Sequence, residues 1–133
     1  MTDPMVLETE KRYPREYRLR KRWQYLAVQG EGIKVASRFF IGLVLPTPAS
    51  DAQSTHARLG ITTTGRYANA VVRNRTRRLV REAFRLGIMS IPDGFDLVVI
   101  PKKHAKFECS RLIFDDLALL GTRVQGIAEK TSC

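Results

Sequence analysis

Residues 58–85 read RLGITTTGRYANAVVRNRTRRLVREAFR, and the spacing of apolar residues changes within them. Leu59, Ile61 and Thr63 alternate with Gly60, Thr62 and Thr64, a period of two that predicts a strand with one face toward a core. From Asn69 the period becomes helical. At about 100° per residue, Val72, Thr76, Leu79, Ala83 and Leu86 gather on one side. Arg73, Arg77, Arg81, Asn74, Arg85 and Arg78 fall within an arc of roughly 140° on the other. Asn69 is a candidate N-cap, because its side-chain oxygen can accept from a first-turn N–H, and Gly87 fits the stop. Phe95–Ile100 is a nearly continuous apolar run closed by Pro101, as expected of a strand buried on both faces. The two strands are expected to be parallel neighbours joined by the helix.

Working outward, Leu19, Trp23, Leu26 and Ala27 recur at helical spacing, predicting a helix from Arg18 to Gly30 that buries them. Ile33–Ser37 and Phe39–Leu45 are rich in β-branched and aromatic residues and read as strands. PTPASDAQS, residues 46–54, reads as a loop. Downstream, a helix from about Ser110 to Arg123 is expected to bury Leu112, Ile113, Leu117 and Leu120. The order is αβββαβα, an α+β sandwich of one sheet and packed helices. Its length suits one domain over residues 18–123. Residues 1–17, charged and interrupted by Pro4 and Pro14, read as a flexible extension, and 124–133 as a polar tail.

The chain has 23 Lys+Arg against 13 Asp+Glu, a formal net charge of +10, so it should carry a positive field that favours a polyanionic partner. Nucleic acid ranks ahead of an anionic membrane and of a merely solubilising surface; composition does not choose RNA over DNA. The longest apolar run, Phe39–Leu45, is about a third of a bilayer span. Residues 1–23 contain no apolar segment before a cleavage site, which points to the cytoplasm. Cys109 and Cys133 lack metal-ligand spacing and read as free thiols. His56 and His104 have no nucleophile or carboxylate arranged beside them. Asp115 and Asp116, about 100° apart on a helix, read as a solvated pair. No glycine-rich phosphate-binding pattern is present, so neither a protein active site nor a metal site is expected.

The arginine stripe is therefore the candidate site. Like charges at i,i+4 spacing destabilise a helix, and phosphates would offset the repulsion. Arginine suits this better than lysine, because its planar fork donates two parallel hydrogen bonds to phosphate and can stack on a base. A DNA-reading helix is disfavoured by the near absence of Asn and Gln on the basic face. A protein nuclease is disfavoured because no carboxylate or histidine constellation is visible. Tyr25 can be core, or it can stack unpaired bases beside a basic groove.

With Arg73-Asn74-Arg75 at its centre, the 58–85 block resembles the signature of the bacterial ribonuclease P protein family. RLRKRWQYLAVQGEGIKVASRFFIGLVL, residues 18–45, is similar to that family's N-terminal helix and first two strands, and GFDLVVIPKK to the strand after its signature helix. The resemblance covers about residues 18–123. It implies a ribosomal protein S5 domain 2-like fold with a left-handed βαβ crossover, against the right hand of roughly 98% of such connections. It also implies a protein that assists a catalytic RNA in removing the 5′ leader of precursor tRNA. The partners would be ribonuclease P RNA and the leader, with neither DNA nor membrane. Arg73, Asn74, Arg75, Arg78 and Asn69 would face the catalytic RNA, and Tyr25, Leu43, Arg66, Arg77 and Arg81 would line a leader cleft. Catalysis and its Mg2+ requirement would belong to the RNA. The chain departs from the family pattern at Gln29 and Leu43, where aromatics occur, at Thr64-Gly65-Arg66, which stands for Ser-Lys-Lys, and at Ala68, which stands for Gly. The competing reading is a ribosomal-type RNA-binding protein that stabilises folded RNA and has no use for an unpaired leader.

Overall fold

The computed structural model describes residues 18–19, 21–47, 57–63, 66–103, 105 and 108–132. The N-terminal extension, most of the 46–54 loop, Thr64-Gly65, both histidines and Cys133 lie outside the described residues. In chain order the elements are α1 (Arg22–Glu31), β1 (Ile33–Ala36), β2 (Phe40–Pro46), β3 (Arg58–Ile61), α2 (Ala70–Arg85), β4 (Phe95–Pro101) and α3 (Ser110–Ser132).

The strands form one sheet in the order β1-β2-β4-β3. β1 and β2 pair antiparallel, as do β2 and β4, and β3 runs parallel to β4 with Leu59 opposite Leu97 and Ile61 opposite Val99. Alternation sorts the side chains. Phe40, Val44, Leu59, Leu97 and Val99 pack with Leu79, Val80 and Ala83 of α2 and with Ile113, Leu117 and Leu120 of α3. Val98, with Leu43, Leu45 and Ile100, meets Val28 of α1 on the opposite face. β4, the strand covered on both sides, is therefore the one with the continuous apolar run.

The hand of the β3–α2–β4 connection follows from the backbone. Viewed from α2 with β4 running upward, an L-residue whose side chain faces the viewer directs its carbonyl to the right. Val99 is such a residue, and its carbonyl accepts from Thr62 N–H at 3.0 Å. β3 thus lies to the right, and the chain crosses in front from right to left. The crossover is left-handed, the rare form.

Three helical expectations need correction. α1 begins at Arg22, not Arg18. The preceding residues are extended: Arg18 bridges Leu59 in parallel and Leu19 N–H donates to Leu59 O at 3.0 Å, satisfying the outer edge of β3. Counting Leu19 into the helix sets the wrong phase, so Gln24 and Val28 are buried, while Trp23 is 44% and Leu26 51% exposed. α3 continues past Arg123 to Ser132, so most of the expected tail is helix, with Val124 and Ala128 extending the buried stripe of Ile113, Leu117 and Leu120. Leu112 is exposed, as is Leu86, which lies just beyond the last turn of α2.

Asp115 is exposed, but Asp116 is buried and is no solvated partner of it. Its carboxylate accepts from Ser37 Oγ (2.6 Å), Phe39 N (2.8 Å) and Arg38 N (3.0 Å). The turn between β1 and β2 leaves those donors without strand partners, and α3 supplies the acceptor. A second buried carboxylate, Asp96, takes both arms of the Arg58 guanidinium at 2.9 and 2.7 Å and the Thr47 hydroxyl at 3.0 Å. No helix among the described residues is long and apolar enough to cross a membrane.

Candidate nucleic-acid interface

α2 is built so that its polar side can carry a cluster of arginines. Asn69 caps it, Oδ1 accepting from Val72 N–H at 3.0 Å. Thr76 sits on the core side, where its hydroxyl pairs with Tyr67 OH (2.8 Å) and donates to Val72 O (3.1 Å). Arg73 folds back to Ala68 O at 3.1 Å, and Arg75, outside the predicted arc, reaches Glu108 O at 3.1 Å in the segment ahead of α3. Arg77 approaches Asn74 Oδ1 at 3.4 Å, and Arg78 and Arg81 are exposed. Arg85 differs. It is ion-paired to Glu82 across one turn, and its hydrogen bond holds the Glu82 carboxyl below the usual range. The stripe's uncompensated charge therefore lies at Arg73–Arg81.

Tyr25 of α1 completes the site. Its ring lies against the backbone of β3 at Gly60, where a Cβ would stand 2.7 Å from Cε1 and 2.9 Å from Cζ. The Ile61 N–H donates to the phenol oxygen, and the Arg81 and Arg77 charges act on it. Burial nevertheless dominates and raises its pKa above the ordinary value. Leu43 packs in the same cluster with Leu19, Val28 and Val98. One side of the Tyr25 ring is thus core, and the half-exposed remainder lies within the influence of the two arginines. Arg66 stands exposed on the turn before α2, and Gln29 is exposed on α1. The sequence grouping of Tyr25, Arg77 and Arg81 is a spatial one. The sequence reading missed Gly60 and Ile61, which seat the ring; a glycine inside a strand was the available signal, since it often marks close approach.

A left-handed α+β sandwich that displays a cluster of arginines beside a partly exposed aromatic defines an RNA-binding type of protein. The family model described as Ribonuclease P matches residues 13–124. The chain belongs to the ribonuclease P protein family. It is 40% identical over 112 residues to the ribonuclease P protein component of Desulfatibacillum aliphaticivorans, covering 84% of this chain and 91% of that relative. Among solved structures, a mutant of the Staphylococcus aureus RNase P protein superposes with a TM-score of 0.73 at 26% identity, covering 94% of this chain and 98% of that one. The Thermotoga maritima RNase P protein superposes with a TM-score of 0.66 at 32% identity, covering 79% and 96%.

Proposed function

We propose that the chain is the protein subunit of ribonuclease P and helps the catalytic RNA remove the 5′ leader from precursor tRNA in the cytoplasm. Arg73, Asn74, Arg75 and Arg78, with Asn69 at the helix start, contact the catalytic RNA. Tyr25, Arg77 and Arg81, flanked by Leu43 and Arg66, hold the unpaired leader. Bond cleavage and its Mg2+ belong to the RNA. The protein supplies positive charge where two polyanions must approach, and a ring on which a leader base stacks, worth ~1–3 kcal/mol per base. The observation that carries the reading is the placing of Tyr25 against Gly60 with its phenol under the influence of Arg77 and Arg81. A scaffold for folded RNA needs the stripe but not this partly open aromatic.

The test mixes the protein with the organism's ribonuclease P RNA and precursor tRNA at low magnesium. Cleavage should require the RNA and be enhanced by the protein, and the protein alone should cleave nothing. Protein-dependent affinity should grow with leader length from none to about ten nucleotides. Its log-log salt slope should steepen by roughly 2 for three single-strand phosphates neutralised. Arg77→Ala and Arg81→Ala should lose that gain, whereas Arg73→Ala and Arg75→Ala should weaken assembly with the RNA. An equal gain with no leader returns the protein to the scaffold reading.

A further inference from the structure

A second basic surface lies outside the stripe and the cleft. Because β3 and β4 are parallel, the end of β4 and the turn leading into α2 lie at the same end of the sheet. β2 is antiparallel to β4 and β1 to β2, so the Ser37–Phe39 turn belongs to that end as well. Lys102 ties the two together, its N–H donating to Phe39 O at 2.8 Å and its Nζ to Ser37 O at 2.7 Å. Lys103 and Arg38 are exposed beside it. From the end of β3 to that turn spans up to three strand spacings, about 10–15 Å. Arg73 and Arg75 stand at one side of this rim and Arg38 at the other.

The rim is rigid before anything binds. Asp116 fixes all three turn residues from beneath, and the Arg38 guanidinium lies 5.0 Å from the centroid of the Phe39 ring. A cation already held in place loses little freedom on binding. The Asp116 carboxylate itself is buried under the turn and committed to its Ser37, Arg38 and Phe39 donors. Glu108, half-buried in the segment after β4, offers its backbone carbonyl to Arg75.

We propose that Arg38 and Lys103 form a second phosphate-binding rim for the catalytic RNA, continuous with Arg73 and Arg75 and separate from the leader cleft. The choice of RNA rests on the function proposed above; the rim itself rests on strand topology and the Asp116-locked turn. The experiment titrates ribonuclease P RNA, and an unrelated structured RNA, with wild type, Arg38→Ala/Lys103→Ala and Arg38→Glu/Lys103→Glu at several salt concentrations. Thermal unfolding checks that each variant folds. The alanine pair should reduce the log-log salt slope for ribonuclease P RNA by about 2, one for each phosphate no longer neutralised. The glutamate pair should weaken binding further, and the leader-dependent gain in precursor tRNA affinity should persist in both. Folded variants with wild-type affinity and slope overturn the rim, as does loss of the leader gain with catalytic-RNA binding intact. If wild type does not prefer ribonuclease P RNA over the unrelated RNA, the proposed function fails instead.

Discussion

Tyr25 reaches its place over β3 because residue 60 has no side chain, so Gly60→Ala tests the cleft without changing a charge. The added Cβ would lie 2.7 Å from Tyr25 Cε1, 2.9 Å from Cζ and 3.0 Å from Leu19 Cδ1, where carbon atoms normally rest at about 3.5–4.0 Å. The ring must therefore move by about 1 Å. The strand cannot yield in its place, since Gly60 is in register with Val98 of β4, and β4 is held on its other side by β2. Forcing atoms into a packed site costs about 1–3 kcal/mol. Alanine gives back roughly 0.4–1 kcal/mol by restricting the unfolded chain, and a half-exposed ring can escape toward solvent. The net loss of stability should therefore be small, about 1 kcal/mol, with the ring displaced from the cleft. Losing a stacked base costs ~1–3 kcal/mol, so the leader-dependent part of precursor tRNA affinity should fall about 5- to 150-fold, with catalytic-RNA affinity retained. The assay compares substrates with and without a leader in Gly60→Ala, Tyr25→Ala and the double variant. Because both substitutions act through one ring, their effects should not add. Additive losses, or an unchanged leader gain in a folded Gly60→Ala, would refute the assignment of Tyr25 to the leader.

Asp116→Ala strips the Ser37–Phe39 turn of its acceptor, orphaning the buried Phe39 N–H and removing a partner of the Ser37 hydroxyl and the part-buried Arg38 N–H; it should destabilise by about 3 kcal/mol in urea denaturation, with Asp116→Asn intermediate. A loss under about 1 kcal/mol would mean water replaces the carboxylate. The buried Thr63 hydroxyl has no hydrogen-bond partner among the described residues, so Thr63→Val, which keeps the shape, should be neutral or stabilising by about 1 kcal/mol; a clear loss of stability would show that the hydroxyl is bonded in solution. Because burial raises the Tyr25 pKa, folding favours the protonated phenol. Its contribution should be complete below about pH 10 and decline as pH rises from there through the folded value. Tyr25→Phe should flatten that alkaline decline, and an identical pH slope in the variant would contradict the raised value.

The crossover was legible because its periodicities are unmixed. β3 alternates, α2 repeats at helical spacing with caps at both ends, and β4 is apolar on both faces, so each segment admits one reading. α1 was not, because two different structures contribute to one apparent repeat: Leu19 is buried from an extended edge segment, and Val28 is buried from a helix that starts three residues later. The length of α3 was hidden by composition. VQGIAEKTS, residues 124–132, looks like a tail, and Gly121 just before it weakens the helical signal, yet a Cβ at Gly121 would stand 3.0 Å from Ser90 N and 3.3 Å from Met89 Cα. That glycine marks close packing of the helix on the segment after α2. Asp116 was unreadable for a related reason: its three donors lie 77–79 positions away in sequence.

The stripe itself could be read from a helical wheel because it is a property of one helix, and magnitudes explain why the fold tolerates it. The i,i+4 pairs Arg73–Arg77 and Arg77–Arg81 cost about 0.2–0.5 kcal/mol each, and Glu82 compensates Arg85. Repulsion thus amounts to about 1 kcal/mol or less. Against it, Leu79 and Val80 are each buried under the sheet, and such side chains contribute about 1.5–3 kcal/mol apiece. The helix is held from its apolar side with a margin of several times the repulsion, so its other side can carry the cluster Arg73–Arg81. What the wheel could not show is the surroundings of each arginine, because these depend on α1 setting Tyr25 beside Arg77 and Arg81 at the outer edge of β3, while Arg75 turns the other way toward the segment ahead of α3. Helix periodicity produced the charge; the tertiary fold gives its members different neighbours, Tyr25 beside Arg77 and Arg81 and the Glu108 carbonyl at Arg75.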